Sequence, residues 1–372
     1  MQSKGKLFIL NLVLLITVAD LNAQTFFLKK DLFQWGTLPP IPDSIGFAGS
    51  FAGVADDVLI VAGGSNFPNG GTPWNGGTKT WYDKIFVLEN PAAKWKEVGK
   101  LPFRLGYGVS VSTKYGLVLV GGSNEKEHVS NVFLLRYKNK KIKIENLPSL
   151  PFPLANSSGA LVGDKIFIAG GLRTSSSSSE NKFLCLDLKQ KTSSWQELAS
   201  WPGPSRMMAV AGSDNKRFYL FSGAELSNGK RAYLKHAYSF SEQEGWKKLA
   251  DLPWAVTAAP SLAFYSNHDM FVFGGDAGTH SDAAATLRER HPGFNNKILR
   301  YDTNNNSWSE AGEIYTSKKH DAVQTPNNSI WSPVTTSLVV WKNLIVLPGG
   351  EVRPGTRTPN VIVAKLISKQ ND

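Results

Sequence analysis

The chain has 372 residues, a formal net charge of +11 and 41% hydrophobic residues, with 34 glycines, 20 prolines and 11 tryptophans. This is the composition of an ordered, turn-rich globular protein, and its length suits either two or three domains or one large all-β fold. The basic excess is dispersed, with no basic run longer than three residues, so no nucleic-acid face is expected, while a small anionic molecule remains a compatible partner.

At the amino end, Lys4 and Lys6 precede an apolar run from Leu7 to Val18, and Ala23 before Gln24 offers a signal-peptidase site, although Leu21 stands where a small residue is preferred. Residues 1–23 are therefore expected to be an export signal. The apolar run is too short to cross a bilayer as a helix and no later stretch is long enough, so no membrane span is predicted. Next comes "WGTLPPIP" from Trp35, and after it six apolar runs, each ending in a glycine pair or its serine variant. These are "VLIVAGG" to Gly64, "LVLVGG" to Gly122, "IFIAGG" to Gly171, "FYLFSG" to Gly223, "MFVFGG" to Gly275 and "LIVLPGG" to Gly350. Their second glycines are 58, 49, 52, 52 and 75 residues apart, the spacing of a repeated supersecondary unit.

Each run is followed by an extended segment such as "KIFVLE", "FLCLDL" or "KILRYD". A tryptophan then stands in a fixed frame, at Trp95, Trp195, Trp246 and Trp308, with Ile144 in its place in the second unit. Four strands per unit follow from these apolar runs and their turn signals. "WGTLPPIP" fits the tryptophan frame but has no glycine-pair strand before it, whereas the last unit has Gly349, Gly350 and "NVIVAKLI" but no tryptophan after them. Each end supplies what the other lacks. The first segment of the mature chain is thus predicted to complete the last blade of a six-bladed β-propeller spanning residues 24–372 as one domain.

With those residues in view, the chain resembles Kelch-type propellers and, among them, the N-acetylneuraminate epimerases, or sialic acid mutarotases, in a cyclically permuted branch. The resemblance rests on "GFAGSFAGVADDVLIVAGGSNFPNGG" (46–71), "LGYGVSVSTKYGLVLVGG" (105–122) and "GGEVRPGTRT" (349–358), the last being the most specific. The loop "SNFPNGGTPWNGGTKTWYD" and the insertion after Gly275, "DAGTHSDAAATLRERHPGFNN", depart from the family pattern and are both expected at the substrate mouth.

In Kelch blades the loop after the glycine pair and the loop entering the innermost strand open on one face around the channel. Asn66, Asn124, Arg173, Glu225, Asp276 and Glu351 come from the first loop type, and Arg104 and Arg206 from the second. Acids, amides and arginines around a concave centre suit a polar, anionic sugar. The competing reading for each Asn or Asp is a turn residue satisfying loop backbone. For Arg104 and Arg206 it is packing over an aromatic or pairing with a neighbouring acid.

The resemblance implies anomer interconversion of sialic acid in a periplasm, without a cofactor. Such mutarotation needs only a positioned acid–base group, and Glu351 is the candidate proton acceptor. Arg357, which the turn at Pro354 and Gly355 is expected to return to the same site as Glu351, is cast as the partner of the substrate carboxylate, since guanidinium offers a planar fork to it. Arg104 and Arg206 are in reserve, and Arg353 is read as a solvated loop charge. No sialidase-type Asp box repeats between the blades. Cys185, the only cysteine, falls in an expected core strand, and the histidines lack ligand spacing, so no metal site is expected. The alternative from another class is a non-catalytic Kelch module that binds a glycan or a protein.

Overall fold

The computed structural model describes residues 25–30, 32–68, 71–190 and 194–367; the expected export signal, residues 1–23, lies outside them. Six antiparallel sheets radiate from one axis. The first blade comprises Phe51–Ala55, Val58–Ala62, Lys84–Leu88 and Lys96–Lys100, and the next four repeat that order outward from the axis. Val58–Ala62, Gly116–Val120 and Leu344–Pro348 are buried throughout. A second strand has partners on both edges and a blade against each face, so it reads as a continuous apolar run. Outer strands such as Lys96–Lys100 are mostly exposed.

The ring closes at the sixth blade as the sequence predicts. Phe33–Leu38 pairs antiparallel with Val361–Leu366, Trp35 opposite Ala364. Thr25–Lys30 adds a fifth strand outside it, which the repeat did not foretell.

Apolar contact is concentrated in six seams, one between each pair of neighbouring blades. The closing segment serves two of them, with Phe33 and Trp35 against the fifth blade and Leu38 and Ile41 against the first. The tryptophan frame has a specific purpose at the periphery. The indole N–H groups of Trp95, Trp195, Trp246 and Trp308 each donate, at 2.8 Å, to a carbonyl of the preceding blade: Pro39, Pro148, Ala199 and Ala250, respectively. Each accepting residue stands four positions after the frame residue of its own blade. Four of the six blade junctions are bonded in this way, since the second blade carries Ile144 in place of the donor and the buried Trp35 Nε1 has no partner among the described residues.

Near the axis four of the second glycines make a similar link. The N–H groups of Gly64, Gly122, Gly171 and Gly350 donate, each at 2.8 Å, to Leu105, Leu154, Arg206 and Phe47 of the following blade. At Gly63 both the backbone (φ 62°) and the space require glycine, because a Cβ would stand 2.1 Å from the Leu105 carbonyl oxygen. Ser222 (φ 56°) is the exception. Its hydroxyl donates to Leu234 O and accepts from Val256 N–H, so the side chain is used in bridging blades.

At the hub, six residues that lead into the innermost strands form a closed circle. Tyr107 N–H donates to Gly49 O, Asn156 to Tyr107, Met208 to Asn156, Ala258 to Met208, Thr335 to Ala258 and Gly49 to Thr335, at 2.7–2.9 Å. All six are left-handed, with φ between 52° and 66°, and Gly49 is the sole glycine among them. On the axis below this circle lies a cavity of about 90 Å³ lined by small residues including Ser110, Ser158, Gly159, Ser261 and Ser337.

Trp35 is fully buried between Phe33 and Phe273 at the closure, so W35A should lower the unfolding free energy by about 3–5 kcal/mol. Chemical denaturation should show a smaller loss for W195A, whose indole is partly exposed.

Candidate active site at the hub

The glycine pair of the sixth blade delivers its loop to the circle. Glu351–Arg353 pairs with Thr356–Arg357, with Glu351 opposite Arg357, and Glu351 also bridges to Val334 beside the circle residue Thr335. The Pro354–Gly355 turn that the sequence suggests is made, with Gly355 at φ 76° and its N–H donating to Glu351 Oε1 at 2.6 Å. Arg357 Nη1 donates to the same oxygen at 3.1 Å. Its Nη2 donates to the Tyr107 hydroxyl at 3.4 Å, and Phe67 lies 4.8 Å beneath the guanidinium. Among the described residues no hydrogen bond occupies Glu351 Oε2.

The Glu351 side chain is 19% exposed and that of Arg357 only 5%. Burial works against the arginine's charge, but the Glu351 carboxylate and the Tyr107 hydroxyl outweigh it and hold its pKa above the ordinary value. Arg357 therefore serves first as a clamp on Glu351 and Tyr107, and its availability to a substrate carboxylate is narrower than the sequence suggests.

Two loops wall the site. In the first, Ser65 Oγ and the Tyr107 hydroxyl are 2.7 Å apart, Trp81 stands against the Tyr107 ring, and the Lys79 ammonium lies over both rings. Pro73 and Trp74 pack on Gly355. The second wall is the insertion of the fifth blade, bound to the first where Trp74 Nε1 donates to Glu289 Oε1 at 2.6 Å. Its His291 is buried beside His280. Burial first, and then the His280 ring, hold His291 below the ordinary imidazole range, against the opposing pull of Asp276 and Glu351.

The other residues expected on the channel face are each engaged by, or close to, protein partners. Arg206 is fully buried, donating to Ser222 O at 2.8 Å and stacked near Trp201 and Tyr238; it packs between the third and fourth blades and is withdrawn from any substrate. Arg173 pairs with Glu180 at 2.9 Å over Phe152. Arg104 is largely exposed, 4.0 Å from Glu125. Asn124 caps its own turn through Lys126 and Glu127 N–H groups, and Asn66 is buried between Gly46 O and the Tyr82 hydroxyl. Asp276 accepts from Gly278 N–H and from Tyr233, and Glu225 accepts from Ser205. Arg353, read as a solvated charge, is instead buried, bonding to the carbonyls of Glu289 and Val323 and so tying the insertion to the sixth blade.

Tyr107, Ser65, Lys79 and Trp81 were not singled out by the sequence. A signal for Tyr107 existed, since "GYG" sets a tyrosine between glycines at a turn, where φ is 62°. No group of three or more His, Cys, Asp or Glu among the described residues is arranged to hold a metal, and no helix among them is long and apolar enough to cross a membrane. Cys185 is buried in Phe183–Asp187, its thiol pushed up by burial to about 12.

A family model described as N-acetylneuraminate epimerase matches residues 2–144 and 147–283 of the chain. An N-acetylneuraminate epimerase of Haemophilus influenzae (strain 86-028NP) is 25% identical over 248 residues, which is 60% of this chain and 60% of that protein. N-acetylneuraminate epimerase 1 of Escherichia coli O6:H1 is 33% identical over 127 residues, 32% of this chain and 33% of its own length. A Kelch domain-containing protein of Vibrio cholerae is 28% identical over 243 residues, 58% of this chain and 63% of its own. The chain thus spans less than two thirds of these relatives. A solved structure described as "Structure of YjhT" superposes with a TM-score of 0.62 at 15% identity, over 88% of this chain and 96% of that one, a likeness of fold. Glu351 and Arg357 lie beyond the residues that the family model matches.

Burial also lowers the pKa of His128, whose ring meets Leu172 O at 3.0 Å. Below about pH 6.5 the unfolded chain therefore binds protons that the folded His128 and His291 resist. Lowering the pH from about 7.5 to about 5 should reduce the denaturation midpoint, and H128N should flatten that dependence.

Proposed function

The chain belongs to the N-acetylneuraminate epimerase family, and on that premise we propose that it interconverts the α and β anomers of N-acetylneuraminate by acid–base catalysis at the hub. Glu351 takes the proton of the anomeric hydroxyl on its open Oε2. The same carboxyl, now protonated, gives that proton to the ring oxygen as the bond from the anomeric carbon to the ring oxygen breaks, leaving the open-chain ketone. Rotation presents the other face of the carbonyl, and the two transfers run in reverse. Protons balance with no other reagent.

The observation that carries this reading is the carboxylate with one oxygen clamped and the other open. Glu351 Oε1 is held by Gly355 N–H and Arg357, so the side chain is oriented before substrate arrives. Arg357 acts here by fixing that base and the Tyr107 hydroxyl. Residues 1–23 are read as an export signal, the mature chain as one propeller domain, and its place as a periplasm, where sialidase products would reach it. The amino terminus of the mature protein, read by mass spectrometry, tests that part.

One-dimensional NMR of freshly released α-anomer, with and without protein, tests the activity. The protein should hasten the appearance of the β-anomer, and E351Q should lose about 10²- to 10⁴-fold of that acceleration. Parent-like exchange by E351Q would remove Glu351 from the chemistry, and shifted signals without faster exchange would identify a binding module.

A further inference from the structure

The proposed substrate carries a carboxylate on the same carbon as its anomeric hydroxyl. Whatever holds that carboxylate must therefore stand close to the base that deprotonates the hydroxyl. Arg357 gives Nη1 to Glu351 and Nη2 to Tyr107 and is nearly buried. Arg353 is bonded to two carbonyls, and Arg173 is paired with Glu180. Arg104 points to Glu125 from an exposed position.

Lys79 differs from all of these. Its Nζ lies 4.4 Å from the Trp81 ring centroid and 4.7 Å from that of Tyr107, and no described residue forms a hydrogen bond or ion pair with it. An aromatic face attracts a cation without saturating its N–H donors. The ammonium is thus held half-buried at the site wall with its donors open. Tyr107, on which it rests, is the residue whose hydroxyl receives Arg357, and Arg357 in turn bonds Glu351, so the Tyr107 ring and one guanidinium connect the open cation to the clamped base.

We infer that Lys79 is the specificity-determining residue that binds the substrate carboxylate, leaving Arg357 to position Glu351. Trp81 and Tyr107 hold the ammonium against the wall until an anion replaces part of its hydration. The loop that carries Lys79 is anchored to the insertion through Trp74 and Glu289, which sets how far the ammonium reaches over the hub. This assignment rests on the proposed anomerase reading, and the following comparison separates the two.

N-acetylneuraminate and its uncharged methyl ester are compared, as anomer-exchange substrates and as ligands by titration calorimetry, with the parent protein, K79M and K79R. The parent should prefer the acid over the ester by about 10- to 100-fold in KM and in Kd, the range of one charge-assisted hydrogen bond. K79M, which keeps the apolar stem, should bring that ratio to about one, with the loss in KM and not in kcat, and K79R should restore most of it. An acid-over-ester ratio equal in K79M and parent, or a parent with no preference for the acid, overturns the role of Lys79 while the anomerase reading stands. Selective binding of the acid that K79M abolishes, without any exchange by the parent, upholds Lys79 as the anion contact and overturns the anomerase reading. A parent that neither exchanges nor binds either compound overturns both.

Discussion

The circle of six backbone hydrogen bonds at the axis is the constraint from which the rest of the arrangement follows. Its members take left-handed backbone that non-glycine residues enter at a cost of about 1 kcal/mol or more each, and Thr335, β-branched with φ 53°, is the most strained type among them. Each bond is made with a residue of the neighbouring blade, so the circle exists only when all six blades are present and in phase. Strain at the hub is thereby offset by closure of the wheel. Closure in turn depends on Phe33–Leu38, which lies more than 300 residues from its strand partner.

The circle also decides where the Glu351–Arg357 pair sits. A left-handed turn aims the Tyr107 side chain toward the glycine-pair loops, where its hydroxyl meets Ser65 and Arg357. The sixth blade's hairpin brings Glu351 to the same point. Arg357, though buried, keeps its charge because a carboxylate and a hydroxyl answer it. Rigid backbone below and two interlocked loops beside the pair leave little freedom for the carboxylate, as the proposed acid–base role requires.

Much of the wheel was legible from spacing because its devices are local and periodic. Glycine pairs mark left-handed turns pressed against a neighbouring carbonyl, and the tryptophan frame marks an indole donor with an acceptor four residues beyond the previous frame position. The charged candidates were harder. Arg206 and Arg104 occupy related places in the repeat, yet one is sealed between Trp201 and Tyr238 and the other is largely exposed. Their loops differ in which aromatic residues stand nearby, and no period reports that. Asn66, Asn124 and Asp276 show the same limit, since a short polar side chain after a glycine pair satisfies loop backbone or neighbouring hydroxyls before it can face a ligand.

The number of blades, the segment that closes them and the return of Arg357 to Glu351 can all be read along the chain, because each depends on residues at fixed separations. Tertiary structure alone decided which cation is engaged and which is open, that Arg353 is buried, and that Tyr107 joins the first wall to Arg357. Those outcomes depend on burial and hydrogen-bond competition among blades and loops distant in sequence. Such competition is settled only when the wheel is complete.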